Sequence, residues 1–146
     1  MRGLTHLAGG ICAAGIIARS VDASWTSAIT GIAVSSVAAL APDWINVAVP
    51  GLRIRGATGH RGFTHWLLTA AITSACVWMV RPQLTPFWLV GYLSHLVLDM
   101  LTERGIPALW PLPWQISLLP IREGGLFDRW LGAALVIVAF VVMIKR

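Results

Sequence analysis

The sequence predicts an all-α fold: a polytopic helical bundle integral to a membrane, with about five transmembrane helices and two long motif-bearing loops on one face. Three observations predict it. Mean hydropathy is +0.76, with 57% hydrophobic and only 12% charged residues, far from the profile of a soluble domain. Apolar stretches recur along the whole chain, each about long enough to span when counted with its interfacial ends. The basic residues fall in the connections and at the termini, where membrane topology places them. At 146 residues the chain fits one domain, 1–146.

The first segment runs from about Gly3 to Ala18 between Arg2 and Arg19, and its glycines and alanines favour close helix packing. One Arg followed by an apolar run is also the start of a signal peptide. Similar segments follow throughout, however, so a retained helix is expected. The second runs from about Trp25 to Ala41, where Pro42 and Asp43 are expected to stop it. A third extends from near Thr64 to Val80, a fourth from about Pro86 to Thr102, and the last from about Phe127 to Ile144, closed by Lys145 and Arg146.

The connections differ. Arg19 to Ser24 and Arg81 to Thr85 are tight turns, whereas Pro42 to Phe63 and Glu103 to Leu126 are long and hold six of the eight prolines. The stretch from Ala108 to Trp114 is too short and Pro-broken to span, and is expected in the interface or dipping back toward the site. Trp25, Trp78 and Trp88 fall at one face and Trp44, Trp66, Trp110, Trp114 and Trp130 at the other, all in positions expected of interfacial anchors. Cys12 and Cys76 lie in apolar segments without metal-ligand spacing and read as small buried hydrophobes.

Five spans put the termini on opposite sides. Arg2, Arg53, Arg55, Arg61, Arg104, Arg122 and Arg129 lie with the N-terminus; Arg19, Arg81, Lys145 and Arg146 lie opposite. Seven against four predicts a cytoplasmic N-terminus. The net charge of +5 is therefore a matter of topology, and no nucleic-acid partner is expected.

Chemistry collects on the N-terminal side. His95 and Asp99 stand four apart in the fourth segment, on one helical face. Ionisable groups inside a membrane segment are costly and mark functional sites by default, although such a pair can also serve only to join helices. His6 begins the first segment, Asp43 ends the second, and His60 and His65 flank the start of the third. All four histidines and both of these aspartates thus fall toward one face. Glycines on both sides of His60 permit a turn that aims the two rings inward. Imidazole and carboxylate suit zinc, manganese or iron, so a divalent metal, zinc first, is the expected cofactor. Glu103 reads as an exposed helix-end acid. Arg53 and Arg55 are readable as snorkelling toward headgroups, and Arg61, between two motif histidines, as the residue that would hold a phosphate.

These residues carry a resemblance. His60-Arg-Gly-Phe-Thr-His65, Gly91-Tyr-Leu-Ser-His95-Leu-Val-Leu-Asp99-Met-Leu-Thr102, Gly105 and Leu109-Trp-Pro-Leu112 resemble the YdjM family, as do Thr5-His6-Leu-Ala-Gly and Pro42-Asp43. The likeness covers nearly the whole chain. It implies a membrane-bound, metal-dependent hydrolase with His6, Asp43, His60, His65, His95 and Asp99 at the metal site. A more distant similarity, to zinc phospholipase C and P1-type nucleases, implies a phosphoester substrate. The chain departs from the family pattern after Asp43, where a second acid two residues on followed by His is usual but Trp44-Ile45-Asn46 stands, and at Trp66, where a serine is usual.

What the resemblance implies is therefore a hydrolase of the prokaryotic cytoplasmic membrane, and the charge count predicts its site on the cytoplasmic face. It would act on a phosphoester of a lipid or lipid-linked substrate among membrane lipids. Asp43 or Asp99 would take the proton or hold the metal, and Arg61 would counter the developing charge. Other readings stay open: a transporter or channel subunit with a proton relay at His95 and Asp99, a haem protein with His6 and His95 as axial ligands, or a silent scaffold with a structural metal.

Overall fold

The computed structural model describes residues 1–48, 62–109, 112 and 114–144. Within them the chain forms five α-helices: α1 (Gly3–Ser20), α2 (Trp25–Ala48), α3 (Leu67–Val80), α4 (Thr85–Met100) and α5 (Leu126–Ile144). Short 3-10 turns at Phe63–His65 and Pro82–Leu84 precede α3 and α4. No strand occurs among the described residues, and the expected all-helical bundle is what forms.

Contacts along the helices fix their directions. Positions 5 and 15 of α1 lie beside positions 128 and 142 of α5, so these two helices run parallel. The α2 and α4 pair is parallel too, since Gly31, Ser35 and Ala39 meet Phe87, Gly91 and His95 in turn. Against these, α1 runs antiparallel to α2, with Gly10 beside Ser35 and Ala39 near the middle of both. Trp88 Nε1 donates to Thr73 Oγ1 at 3.2 Å across α3 and α4. The starts of α1, α3 and α5 and the ends of α2 and α4 therefore share one end of the bundle.

Small residues hold the centre together. A Cβ on Gly10 would lie 2.7 Å from Ala39 Cβ and 2.9 Å from the Ser35 carbonyl, and one on Gly91 would collide with that same carbonyl. Ser35 Oγ donates to the Gly10 carbonyl at 2.8 Å, so α1, α2 and α4 meet around one buried serine. Close backbone approach of this kind is how helices associate where solvent is as apolar as the side chains. Next to it, Tyr92, Leu96, Ile106 and four alanines form the apolar core.

Bilayer is the natural surrounding of the outer surface. α2 from Trp25 to Trp44 and α5 are each long and apolar enough to cross a membrane, and α3 is a shorter apolar helix. Large apolar residues lie exposed on all three, among them Ile29, Val37, Ile72, Val80, Ile137 and Phe140. So wide an uncovered apolar belt fits lipid and not water.

Several local expectations change. Pro42 does not stop α2, which continues through it to Ala48. Neighbouring helices can satisfy the backbone groups that a proline frees, and the buried Pro42 lies where α4 packs. Near Thr64 the chain forms a 3-10 turn, and α3 starts only at Leu67. Trp66 is buried edge-on to Phe63, and Trp88 is half-buried against the core, so these two pack inside the bundle instead of anchoring its rim. Cys76 faces outward rather than inward. Of the stretch after α4, Trp110, Pro111 and Pro113 lie outside the described residues; around them Ile106 pairs with Ile116, Leu67 N donates to the Ala108 carbonyl, and Ile106 and Ala108 are buried.

Candidate metal centre

Four elements bring five ligand-type side chains together at the shared end. α1 carries His6, α2 Asp43, the turn before α3 His65, and α4 both His95 and Asp99. His6, Asp43 and His95 offer ligand atoms all within 4.8 Å of one another, as do His65, His95 and Asp99. Asp99 Oδ2 lies 3.4 Å from His65 Nε2 and 3.6 Å from His95 Nε2; Asp99 Oδ1 lies 3.3 Å from His6 Nε2. Asp43 Oδ1 stands 3.7 Å and 3.8 Å from the same two nitrogens of His65 and His95. The Met1 ammonium lies 2.7 Å from Asp99 Oδ1. His60, Arg61, Arg53 and Arg55 lie outside the described residues.

Helix geometry explains the convergence. The parallel α2 and α4 meet every fourth residue, and one step beyond Ala39 the same register brings Asp43 to the Nε2 of His95. His6 reaches the cluster from α1, its ring stacked on His95 with centroids 3.8 Å apart and planes 19° from parallel.

Outer contacts orient the rings. His95 Nδ1 lies 2.7 Å from the Ala39 carbonyl, and since a carbonyl only accepts, the neutral ring carries its proton on Nδ1 and turns the Nε2 lone pair inward. His65 Nδ1 is 3.1 Å from Thr64 Oγ1, and its Nε2 is 3.1 Å from that of His95. Tyr92 O–H donates to the Thr64 carbonyl at 2.6 Å, which fixes the turn that presents His65. Metal-bound histidines are usually held in this way, by a carbonyl or hydroxyl on the far nitrogen.

The donor set fits a divalent metal. His6, His65 and His95 are fully buried and Asp99 nearly so, an arrangement that is expensive for polar groups without partners. Both ring nitrogens of His6 are buried without a hydrogen bond of acceptable geometry, despite the nearby Asp99 oxygen. A ligand nitrogen facing its ion would show this pattern. Only Asp43 is partly open, its side chain 28% exposed, so access to the cluster passes beside it.

Sequence reasoning missed three residues near the cluster. The Ala39 carbonyl has no signature in a sequence. Tyr92 could have been found, because it stands on the Asp99 side of α4, three residues before His95. Asp128 is the third. It is fully buried at the start of α5 and accepts from Thr5 Oγ1 at 2.6 Å, Gly124 N at 2.8 Å and Arg2 N at 3.2 Å, clasping α5 to α1 beside His6. An acid at the start of an apolar span was the available signal.

Fold and site define a helical membrane protein with a buried His/Asp cluster able to hold a metal ion. The chain belongs to the YdjM family: the family model described as YdjM inner membrane protein matches residues 1–146. Curated proteins named "Inner membrane protein YdjM" from Escherichia coli (strain K12) and Shigella flexneri are each 38% identical over 92 residues, 56% of this chain. That match spans 46% of the relatives' own length, so the chain covers about half of each. No solved structure matches.

Proposed function

We propose that the chain is a membrane-embedded, metal-dependent hydrolase acting at the cytoplasmic face on a phosphoester of a lipid or lipid-linked substrate. The observation that carries this reading is the buried cluster of His6, His65, His95 and Asp99, whose ligand-type atoms converge while neither ring nitrogen of His6 makes a hydrogen bond of acceptable geometry. His6, His65, His95 and Asp99 would hold the ion, with Asp43 as a further ligand, and zinc suits this mixed set best. When bound, a divalent ion lowers the pKa of its water toward neutrality and polarises a phosphoryl oxygen.

This chain's own residues supply the rest. Asp43, the one partly open acid, is placed to take a proton from a nucleophile entering on its side. Ala39 and Thr64 hold two imidazoles in the orientation that binding needs. The apolar core beneath the cluster shields one side from water, which strengthens charge interactions there. Arg61 follows the His60 motif and is assigned to the substrate phosphate. The phosphoester assignment rests on the motif resemblance of His95 and Asp99, and the lipid on the membrane setting.

Ligands drawn from α1, α2, the turn before α3 and α4 also favour a second reading, in which a structural metal staples four segments of a scaffold. Three variants in detergent separate the two: His95→Ala, Asp99→Ala and Arg61→Ala. The hydrolase reading expects the first two to lose metal but remain folded, and the third to keep metal but lose turnover by about a hundredfold or more. Global unfolding of the first two, with Arg61→Ala unchanged in every respect, would establish the scaffold instead.

A further inference from the structure

Outside the metal centre, α1 and α5 enclose a groove of about 370 Å³ that opens toward the bilayer. Its chemistry is split by depth. Arg2 and Arg129 stand at one end, because parallel helices place their first turns together. Leu7, Ile11 and Val136 wall the remainder, and Ala8 and Gly132 leave the floor low. Counted along α1 from Arg2 to Ile11, the groove is about 13 Å long at the usual rise per residue. α5 is the least covered of the spans, so nothing within the described residues shuts the groove from the side.

Both guanidinium groups belong to exposed residues, and neither has an ion-pair partner among the described residues. Their nearest acid on α5, Asp128, is turned inward and engaged by Thr5, Gly124 and the Arg2 backbone. Two unneutralised cations above an apolar channel match an amphiphile with an anionic head and a hydrocarbon tail. The larger groove between α2, α3 and α4, about 520 Å³, supplies a built-in contrast. It is lined by Val37, Val77, Val80 and Trp88, but has one arginine, Arg81, and lies at the opposite end of the bundle.

We propose that the α1/α5 groove is a binding site for an anionic phospholipid, with its phosphate on Arg2 and Arg129 and one acyl chain along Leu7, Ile11 and Val136. The inference does not require the lipid to be turned over. Thr5, which lines the groove, is the chain neighbour of His6 in the candidate metal centre, so one turn of α1 borders both sites. A guanidinium pair is well suited to this, since each can grip phosphate oxygens through two parallel donors.

The test uses the full chain in detergent micelles, titrated with phosphatidylglycerol or phosphatidylcholine of identical acyl chains and read by native mass spectrometry. Phosphatidylglycerol should be retained more tightly, by roughly thirtyfold at low salt if each arginine contributes as basic residues do at anionic membranes. The preference should shrink as salt is raised. An Arg2→Gln, Arg129→Gln double variant should bind both lipids alike, whereas Arg81→Gln should keep the preference. Ala133→Phe, which fills the groove from α5, should lower retention of both lipids. Millimolar inorganic phosphate should not displace the bound lipid. Metal content and melting temperature of each variant report whether it has folded, independently of lipid and of hydrolysis. Equal retention of the two lipids by the wild-type chain would overturn the proposal without recourse to any variant. So would an undiminished preference in the double arginine variant, or displacement by inorganic phosphate alone.

Discussion

Along the seam between α2 and α4, contacts repeat every four residues on both helices, yet its two halves hold different chemistry. At the far half the Phe87 ring lies over Gly31, and Gly91 admits the Ser35 backbone. At the near half the same register sets the Ala39 carbonyl against His95 and Asp43 beside it. Packing at one end is decided by volume, at the other by where lone pairs point. The difference teaches that the His/Asp cluster extends an ordinary helix seam. It is the next step of an ordinary small-residue helix contact, with ligands substituted for methyl groups.

Breaking the far half should have the largest effect. Gly91→Val pushes a side chain into the Ser35 carbonyl, and a loss of about 3 kcal/mol is expected on unfolding in detergent, metal binding failing with the fold. Unchanged melting with intact metal content would show that the seam is not close-packed.

His6→Phe sharpens the comparison more than any other change. It removes two buried nitrogens without a hydrogen bond of acceptable geometry but also the 3.3 Å contact of His6 Nε2 with Asp99, so the metal-free protein should change by less than about 1 kcal/mol. Metal affinity should meanwhile fall by more than about a hundredfold, beyond the range of changes to residues behind the ligands. If metal content is retained, His6 is a core residue and the cluster is smaller than described.

Tyr92→Phe tests the orienting contacts. Losing the hydrogen bond to the Thr64 carbonyl should cost about 1 kcal/mol and weaken metal binding roughly tenfold through His65. Isothermal titration with zinc would read this, and equal affinity would mean that the turn holds itself. Smallest of all, Ser35→Ala should cost about 0.6 kcal/mol, the usual worth of an interhelical hydrogen bond in a membrane, with zinc affinity unchanged.

Much of this was legible because apolar runs and their breakers mark helices well. Alternating spans place His6, Asp43, His65, His95 and Asp99 at one end whatever the details of packing. The four-residue spacing of His95 and Asp99 was enough to put them on one face. What could not be read depends on helix rotation and on backbone atoms. His6 meets Asp99 across 93 positions only because α1 turns that face toward α4. The Ala39 carbonyl is chemically identical to every other carbonyl in the chain, and its neighbour alone makes it useful. Pro42 was misread because local propensity ends a helix there, whereas tertiary packing carries α2 onward to Ala48. Trp66 and Trp88 were misread for a related reason: an amphipathic ring is equally suited to a headgroup layer and to a half-polar helix contact.

Pro42 has one more consequence. It sits three residues after Ala39, where a proline crowds the preceding turn and withholds the N–H that the Ala38 carbonyl would otherwise accept. The backbone that serves His95 thus belongs to a locally weakened stretch of helix. Replacing Pro42 with alanine restores the missing donor and should raise melting stability by about 2 kcal/mol. The regularised turn would draw the Ala39 carbonyl back toward its own helix, and zinc affinity should fall about tenfold as His95 loses its support. A screen of this membrane protein for heat tolerance alone would therefore favour a sequence whose His95 has lost the carbonyl that orients it.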